Sequence, residues 1–378
     1  MARILRVFSL LDRYIMAQLV GPFLFGLGIF TSLGLTIGVL FEVLRNVVAN
    51  EITWAIAFRV LTLRLPEFLV LGLPMATLLG TLAAYSGLSS SSEIIAFRSA
   101  GLRSWRLMIP GLFLGVLITG LTFSLNDWVV PQTTQQATSI VKIAKGEDAA
   151  TYQEKNIIYP EYQRLETASG NREVLKTLFY AETFDGTQMN HLTILDRSAV
   201  DTQRIITATS AQWDTEQQGW QMREGSIYQV GANGSFSDIE KFETSFLALS
   251  DAPLVLATQC QQTSEMTLQV IDICLESLKL SRNEKRIRTL QVEKQEKFAV
   301  PFIAFVFAMV GAAIGLRPQN SSKATSVGLS VAIVFAYYLL SVISSSMGVW
   351  GTITPMMGAW FPNVLGAGAA GWILWRTS

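Results

Sequence analysis

Between Lys323 and Arg376 the chain carries no Asp, Glu, Lys, Arg or His. That stretch, Ala324 to Trp375, is roughly 50 residues, or about 78 Å as a helix. About 20 apolar residues cross a ~30 Å hydrocarbon layer. The run therefore holds two crossings and a tight turn, marked by Gly348, Gly351 and Pro355. No soluble core needs such a run, so the chain is expected in a membrane.

The 378 residues have formal net charge zero, and half are hydrophobic. That average hides two unlike materials. Nearly all acidic residues lie between Trp128 and Lys297; outside that block stand only Asp12, Glu42, Glu51, Glu67, Glu93 and Asp127. The ends read as membrane material and the middle as a solvated domain of about 150 residues, large enough for its own core. Neutral net charge offers nothing to nucleic acid. The first apolar run is too long for a signal-peptide core, so it reads as a retained helix.

Four further charge-poor runs precede the opening one: Tyr14–Phe41, Phe68–Ser92 (reaching back past Arg64), Leu107–Asn126 and Phe298–Leu316. Six transmembrane helices result, three on each side of the polar block. With the N-terminus inside, the cytoplasmic segments hold Arg3, Arg6, Arg13, Arg98, Arg103, Arg106, Arg317, Lys323 and Arg376. The short outer loops hold only Arg45, Arg59 and Arg64, a positive-inside bias that puts both termini in the cytoplasm and the polar block outside. The pairs Gly34/Gly38, Gly111/Gly115 and Gly311/Gly315 have the spacing of close helix crossings, although glycine is common in membrane helices anyway. Trp105, Trp128, Trp350, Trp360 and Trp375 fall near the expected interfaces.

The middle block reads as strands. Phe242, Thr244, Phe246 and Ala248 alternate with Lys241, Glu243, Ser245 and Leu247. Similar runs are Val174–Phe184, His191–Leu195, Arg204–Trp213 and Ser226–Val230, separated by turn residues at 169–171, 185–186, 218–219 and 231–234. Short strands at this spacing suggest an all-β sandwich or barrel. His191, the single histidine, is read as structural. Cys260 and Cys274 either pair, if the block faces an oxidising compartment, or remain two buried thiols. Leu268, Ile271, Leu275 and Leu278 then recur at helical spacing. The charged run Ser281–Lys297 follows, with Arg282, Lys285, Arg286, Arg288, Lys294 and Lys297 placed to meet lipid phosphates or simply to face water.

No phosphate-cradling G-x-x-x-x-G-K-[ST] is present, nor H-E-x-x-H, nor G-x-S-x-G. The spans offer no deep ionisable group for an ion path. One segment between the second and third spans stands out. Ser90 and Glu93 fit an S-x-x-E capping box and Gly101 a helix stop, giving a short helix on the cytoplasmic face. It is either a plain connection or a docking helix for a motor protein.

Ordered motifs along nearly the whole chain resemble one family. These are Asp12-Arg13-Tyr14 with Gly21-Pro22-Phe23, Arg64-Leu65-Pro66, Leu73-Pro74-Met75-Ala76, and Ser92 to Gly101 as E-x-x-A-x-R-x-A-G. Asn126-Asp127-Trp128-Val129-Val130-Pro131, Lys297 to Phe302, Gly315-Leu316-Arg317-Pro318 and Trp360-Phe361-Pro362-Asn363 complete the set. The chain resembles lipopolysaccharide-export permeases of the LptF/LptG type.

The resemblance implies an α-helical integral membrane protein with six transmembrane helices and an inserted all-β, jelly-roll-like periplasmic domain. Its parts would be helices one to three in 1–127 with a coupling helix near 90–101, the β domain in 128–265, a charged connecting helix in 266–297, and helices four to six in 298–378. It would sit in the bacterial inner membrane as the permease subunit of an ABC-type exporter. That exporter takes lipopolysaccharide from the membrane and passes it to a periplasmic bridge of LptC/LptA type. The resemblance makes the chain a transport permease rather than an enzyme, with no catalytic residue, metal or cofactor of its own. ATP and Mg would be used by a separate LptB-like ATPase, and a second permease copy or sister subunit would complete the cavity. Glu93, Ala96, Arg98, Ala100 and Gly101 carry over as the ATPase-coupling site, and Arg45 and Lys297 as lipid head-group contacts. Glu42 beside Arg45 makes the first hairpin less basic than the family pattern. The alternatives are a non-transporting membrane scaffold, or another ABC-type lipoprotein or signalling subunit with a partner-binding β domain.

Overall fold

The computed structural model describes residues 9–145, 154–167, 170–184, 188–197, 202–214, 217, 219–231, 236–247, 260, 266–281, 284–317 and 323–377. The chain divides into two compact units, Met1–Val141 with Gln291–Ser378, and Lys142–Leu290.

The first unit is helical. α1 (Leu10–Leu35) starts at Ser9, which forms a full capping box with Asp12. A π turn, Thr36–Leu40, joins it to α2 (Phe41–Val48). α3 spans Trp54–Ser90, α4 Glu93–Ser99 and α5 Ser104–Ser124. A second π turn, Leu125–Val129, leads into α6 (Val130–Ala144). Among the described residues five helical runs are long and apolar enough to cross a membrane: Leu10–Val48, Trp54–Ser90, Ser104–Val141, Glu284–Gly315 and Thr325–Trp350. The last helix, Pro355–Thr377, is free of charge before Arg376, but its four glycines, two prolines and Asn363 dilute its hydropathy.

Glycine sets how closely these helices approach. A Cβ on Gly80 would lie 2.9–3.1 Å from the backbone and Cβ of Phe23, where α1 crosses α3. One on Gly115 would lie 2.7 Å from Ala308 Cβ, and one on Gly315 2.6 Å from Tyr85 Cβ. Gly34 and Gly38 both face the Phe68 ring. The small-residue spacings thus mark real crossings, as van der Waals packing between membrane helices requires.

α8 (Glu284–Gly315) contains the charged run from Glu284 to Lys297 and continues into the fourth apolar run as one helix. α9 (Lys323–Trp350) and α10 (Pro355–Thr377) follow. The turn between them uses Gly351 at φ 81° and Pro355 as the first helical residue. Gly348 was expected in that turn but is still helical. It packs against Gly358, whose own Cβ would lie 3.1 Å from the Ser344 carbonyl oxygen.

The second unit carries one antiparallel sheet in the order β1-β2-β3-β4-β5-β6. Its strands are β1 Glu154–Thr167, β2 Gly170–Phe184, β3 Gln188–Asp196, β4 Thr202–Asp214, β5 Gly219–Gly231 and β6 Phe236–Leu247. Each strand pairs with the next in sequence, so the described strands form a meander without the Greek-key crossing of a jelly roll. The turn residues expected at 169, 185–186, 218 and 232–234 lie outside the described residues.

The strands do not alternate simply. Ala181 and Phe184 are both buried, as are Met189 and Leu192, and Ala208 and Ala211. Two residues separate each pair, so the inward phase slips by one. The slip falls at the same row in neighbouring strands. Ala181 pairs with Leu192 and Thr183 with Asn190, which sets Glu182 opposite His191. By the same register Thr209 lies opposite His191, Glu224 opposite Thr209, and Glu243 opposite Glu224. His191 and Glu224 take positive φ, 51° and 49°, at this row. The even alternation read for β6 therefore fails. Leu247, expected on the face opposite Phe242 and Phe246, packs with Phe242 against the buried cluster, while Phe246 is exposed.

α7 (Leu268–Ser281) buries Ile271, Cys274 and Leu278. Cys260 and Cys274 form a disulfide, which resolves the two readings of those thiols in favour of pairing. Arg286 of α8 donates to the Cys260 carbonyl at 3.1 Å, and Tyr159 of β1 to that of Ser277 in α7 at 3.3 Å.

Candidate functional site

The segment between α3 and α5 is the point where several elements meet. The capping box expected from Ser90 and Glu93 does not form. α3 continues through Ser90, whose hydroxyl is spent on the Gly87 carbonyl at 2.9 Å. The break falls at Ser92, which adopts φ 62° and starts α4 without a side-chain cap.

Glu93 instead accepts from the Tyr14 hydroxyl at 2.8 Å, 79 residues away on α1, and from the Ser91 hydroxyl at 2.9 Å. Arg98, at the other end of α4, donates to the Leu316 carbonyl at 3.3 Å. Ser89 donates to the next carbonyl, that of Arg317, at 2.7 Å. These carbonyls lie just past the C-terminal end of α8, where no further turn of helix supplies partners and the helix end favours a cation.

Gly101 ends α4 as expected. At φ 88° it donates to the Arg98 carbonyl at 2.9 Å, and Leu102 donates to that of Phe97 at 3.1 Å. This is a Schellman turn, with Phe97 and Leu102 both packed on the helical core. Ile94 is buried beneath α4. Ile95, Ala96, Ser99 and Ala100 form its exposed side.

Beside this node, Arg106 of α5 grips Asp12 of α1 in a two-pronged contact, at 2.6 and 2.8 Å. Asp12 is buried, and Arg106 also reaches the Ser9 hydroxyl at 3.2 Å. Tyr14, Asp12, Arg106 and Ser89 were not assigned to a site in the sequence. The Asp12-Arg13-Tyr14 motif was visible, but its partners lie far along the chain.

The two head-group candidates stand apart in character. Arg45 is exposed near the end of α2. Lys297 is buried in α8, and its ammonium donates to the Asn126 carbonyl at 3.3 Å. Asn126 belongs to the π turn after α5, where the wider ladder frees carbonyls from their usual partners. Arg64 pairs with Glu67 one turn on, at 3.0 Å. Among the described residues no group of three or more His, Cys, Asp or Glu side chains converges to hold a metal.

A family model described as lipopolysaccharide export system permease LptF/LptG matches residues 13–376. The lipopolysaccharide export system permease protein LptG of Haemophilus influenzae is 33% identical over 130 residues, covering 34% of this chain. The chain aligns with only about a third, 35%, of that relative's length.

Proposed function

Because this chain belongs to the LptF/LptG family of lipopolysaccharide export system permeases, we propose that it is the transmembrane permease subunit of a lipopolysaccharide exporter powered by a separate ABC ATPase. A lipid with many acyl chains cannot cross water unaided, since each exposed CH₂ costs about 0.8 kcal/mol. The permease would supply a shielded path, and the ATPase, with ATP and Mg, the stroke. A second permease copy or sister subunit would complete the cavity, and a periplasmic LptC/LptA-like bridge would receive the lipid.

One observation carries this reading. α4 presents Ile95, Ala96, Ser99 and Ala100 outward, while its inner side is tied to α1 and α8. Small side chains at Ala96 and Ala100 suit close approach by a partner, and the ties suit transmission of its motion. Glu93, Ala96, Arg98, Ala100 and Gly101 are the proposed coupling site.

The chain would cross the inner membrane six times, α10 being the sixth crossing, with the α4 end cytoplasmic and Lys142–Leu290 periplasmic. The disulfide supports that placement, since such bonds persist in oxidising compartments. Arg45 is the proposed first contact for lipid phosphate. Lys297 would join it only on leaving the Asn126 carbonyl.

The experiment is to purify the chain with its ATPase and change Ala96 to Glu. The expected result is loss of the co-purifying ATPase and of lipid release from the membrane. Unchanged co-purification with unchanged release would refute the docking role. A cysteine placed at Lys241 should react with a membrane-impermeant reagent added from the periplasm; labelling only from the cytoplasm would reverse the topology.

A further inference from the structure

Glu93 and Arg98 are both engaged inside the chain, and to different helices. They lie five residues apart, about 7.5 Å along the α4 axis and about 140° around it. Glu93 holds α1 through Tyr14, and Arg98 holds the C-terminal end of α8 through the Leu316 carbonyl. We propose that α4 works as a two-ended strut in which the Tyr14 hydroxyl is the positioning group that passes movement of α4 to α1.

The inference rests on the proposed coupling role of α4 and deepens it. Under that reading, the partner's stroke displaces α4 as a short rigid body. The Schellman turn and the buried Ile94 fix it at its base. The C-terminal end of α8 follows through the contact from Arg98 to the Leu316 carbonyl, while Ser89 ties the Arg317 carbonyl to α3.

α1 follows through the Tyr14–Glu93 bond at the α4 start. The hydrogen bond is directional, so movement of the Glu93 carboxyl carries the Tyr14 hydroxyl with it. The neighbouring Asp12–Arg106 grip joins α1 to α5 and leaves α4 untouched, so it does not substitute for Tyr14.

The test uses the full complex of the chain with its ATPase in proteoliposomes, measuring lipopolysaccharide released per ATP hydrolysed. Tyr14→Phe keeps the ring and removes only the hydroxyl. The expected result is full co-purification of the ATPase, continued ATP hydrolysis, and about a fivefold fall in lipid released per ATP, on the order of one such hydrogen bond. Glu93→Gln retains an acceptor for Tyr14 and should recover most of the ratio lost in Glu93→Ala.

An unchanged ratio in Tyr14→Phe overturns the inference. So does a Gln variant as impaired as the Ala variant, because the lost charge would then act on the partner directly. Loss of the ATPase from Tyr14→Phe also overturns it, since the bond would then hold the docking surface rather than transmit its motion. A wild-type complex that releases no lipid overturns the proposed function, and this inference with it.

Discussion

Replacing Asp12 by Ala removes four hydrogen bonds at once. It takes away both prongs of the Arg106 contact, at 2.6 and 2.8 Å, and the carboxylate that accepts from the Ser9 backbone N–H at 3.0 Å and from the Ser9 hydroxyl at 2.8 Å. Hydrogen bonds to charged groups contribute about 1.5–3 kcal/mol, while Ser9 keeps its N-cap bond from the backbone N–H at position 12. The Asp12→Ala variant should therefore lose about 3 kcal/mol. Arg106→Ala leaves the buried Asp12 carboxylate with only its Ser9 partners and should lose about 2–3 kcal/mol. The double variant leaves neither charge stranded, so it should lose only about 3–4 kcal/mol rather than the sum, a coupling of about 2 kcal/mol. The assay is reversible unfolding of the purified full chain in mixed micelles, with all four proteins titrated under one set of conditions. If the two single losses add to within about 0.5 kcal/mol, the residues do not act as a pair and the reasoning fails.

Gly101→Ala meets no atom within 4 Å, so only its φ of 88° opposes it; the cost should be about 1–2 kcal/mol, read as faster amide exchange at Leu102. Gly115→Leu forces α5 away from Ala308 and should lose about 1–3 kcal/mol in the same unfolding titration, while Gly120→Leu, with open space beside it, should change little. Changing Cys260 and Cys274 together to Ser opens a link across 14 residues and should cost the Lys142–Leu290 unit about 3 kcal/mol. Limited proteolysis reads that loss, and the unaltered chain should bind no maleimide until it is both unfolded and reduced.

The membrane segments were legible because a charge in hydrocarbon is costly, so its absence over long runs is a strong signal. The helical onset at Leu268 was legible for a similar reason, since Ile271, Cys274 and Leu278 line one buried side at helical spacing. The start of α4 was not. Ser90 and Glu93 satisfy the capping pattern, but Ser89 through Ser92 are all serines, and a pattern that any of them can begin does not say which one ends α3. The hydroxyls went instead to α3's own carbonyls and to Arg317. Lys297 was read by its charge and its place before an apolar run. Its burial depends on a carbonyl freed by a π turn 171 residues earlier. The bond between Tyr14 and Glu93 belongs to the same class, because nothing local to either residue names its partner.

The row through Glu182, His191, Thr209, Glu224 and Glu243 explains why the even alternation of β6 fails and also what the sheet gains. One extra residue in a single strand would turn every side chain beyond it to the opposite face. Here neighbouring strands take the extra residue at the same level, so the cross-strand register is kept and the inward sets resume together. The arrangement costs two non-glycine residues at positive φ, His191 and Glu224, each strained by about 1–2 kcal/mol. It also restricts position 225 to glycine, because a Cβ there would run into the Thr207 carbonyl and the Phe242 ring. In return Met189 and Leu192, and Ala208 and Ala211, stay buried on either side of the row. The acidic residues of the row, Glu182, Glu224 and Glu243, are left exposed. The buried cluster thus continues past a line of carboxylates without admitting one. A strand pattern with no slip would have had to end there or turn its charges inward.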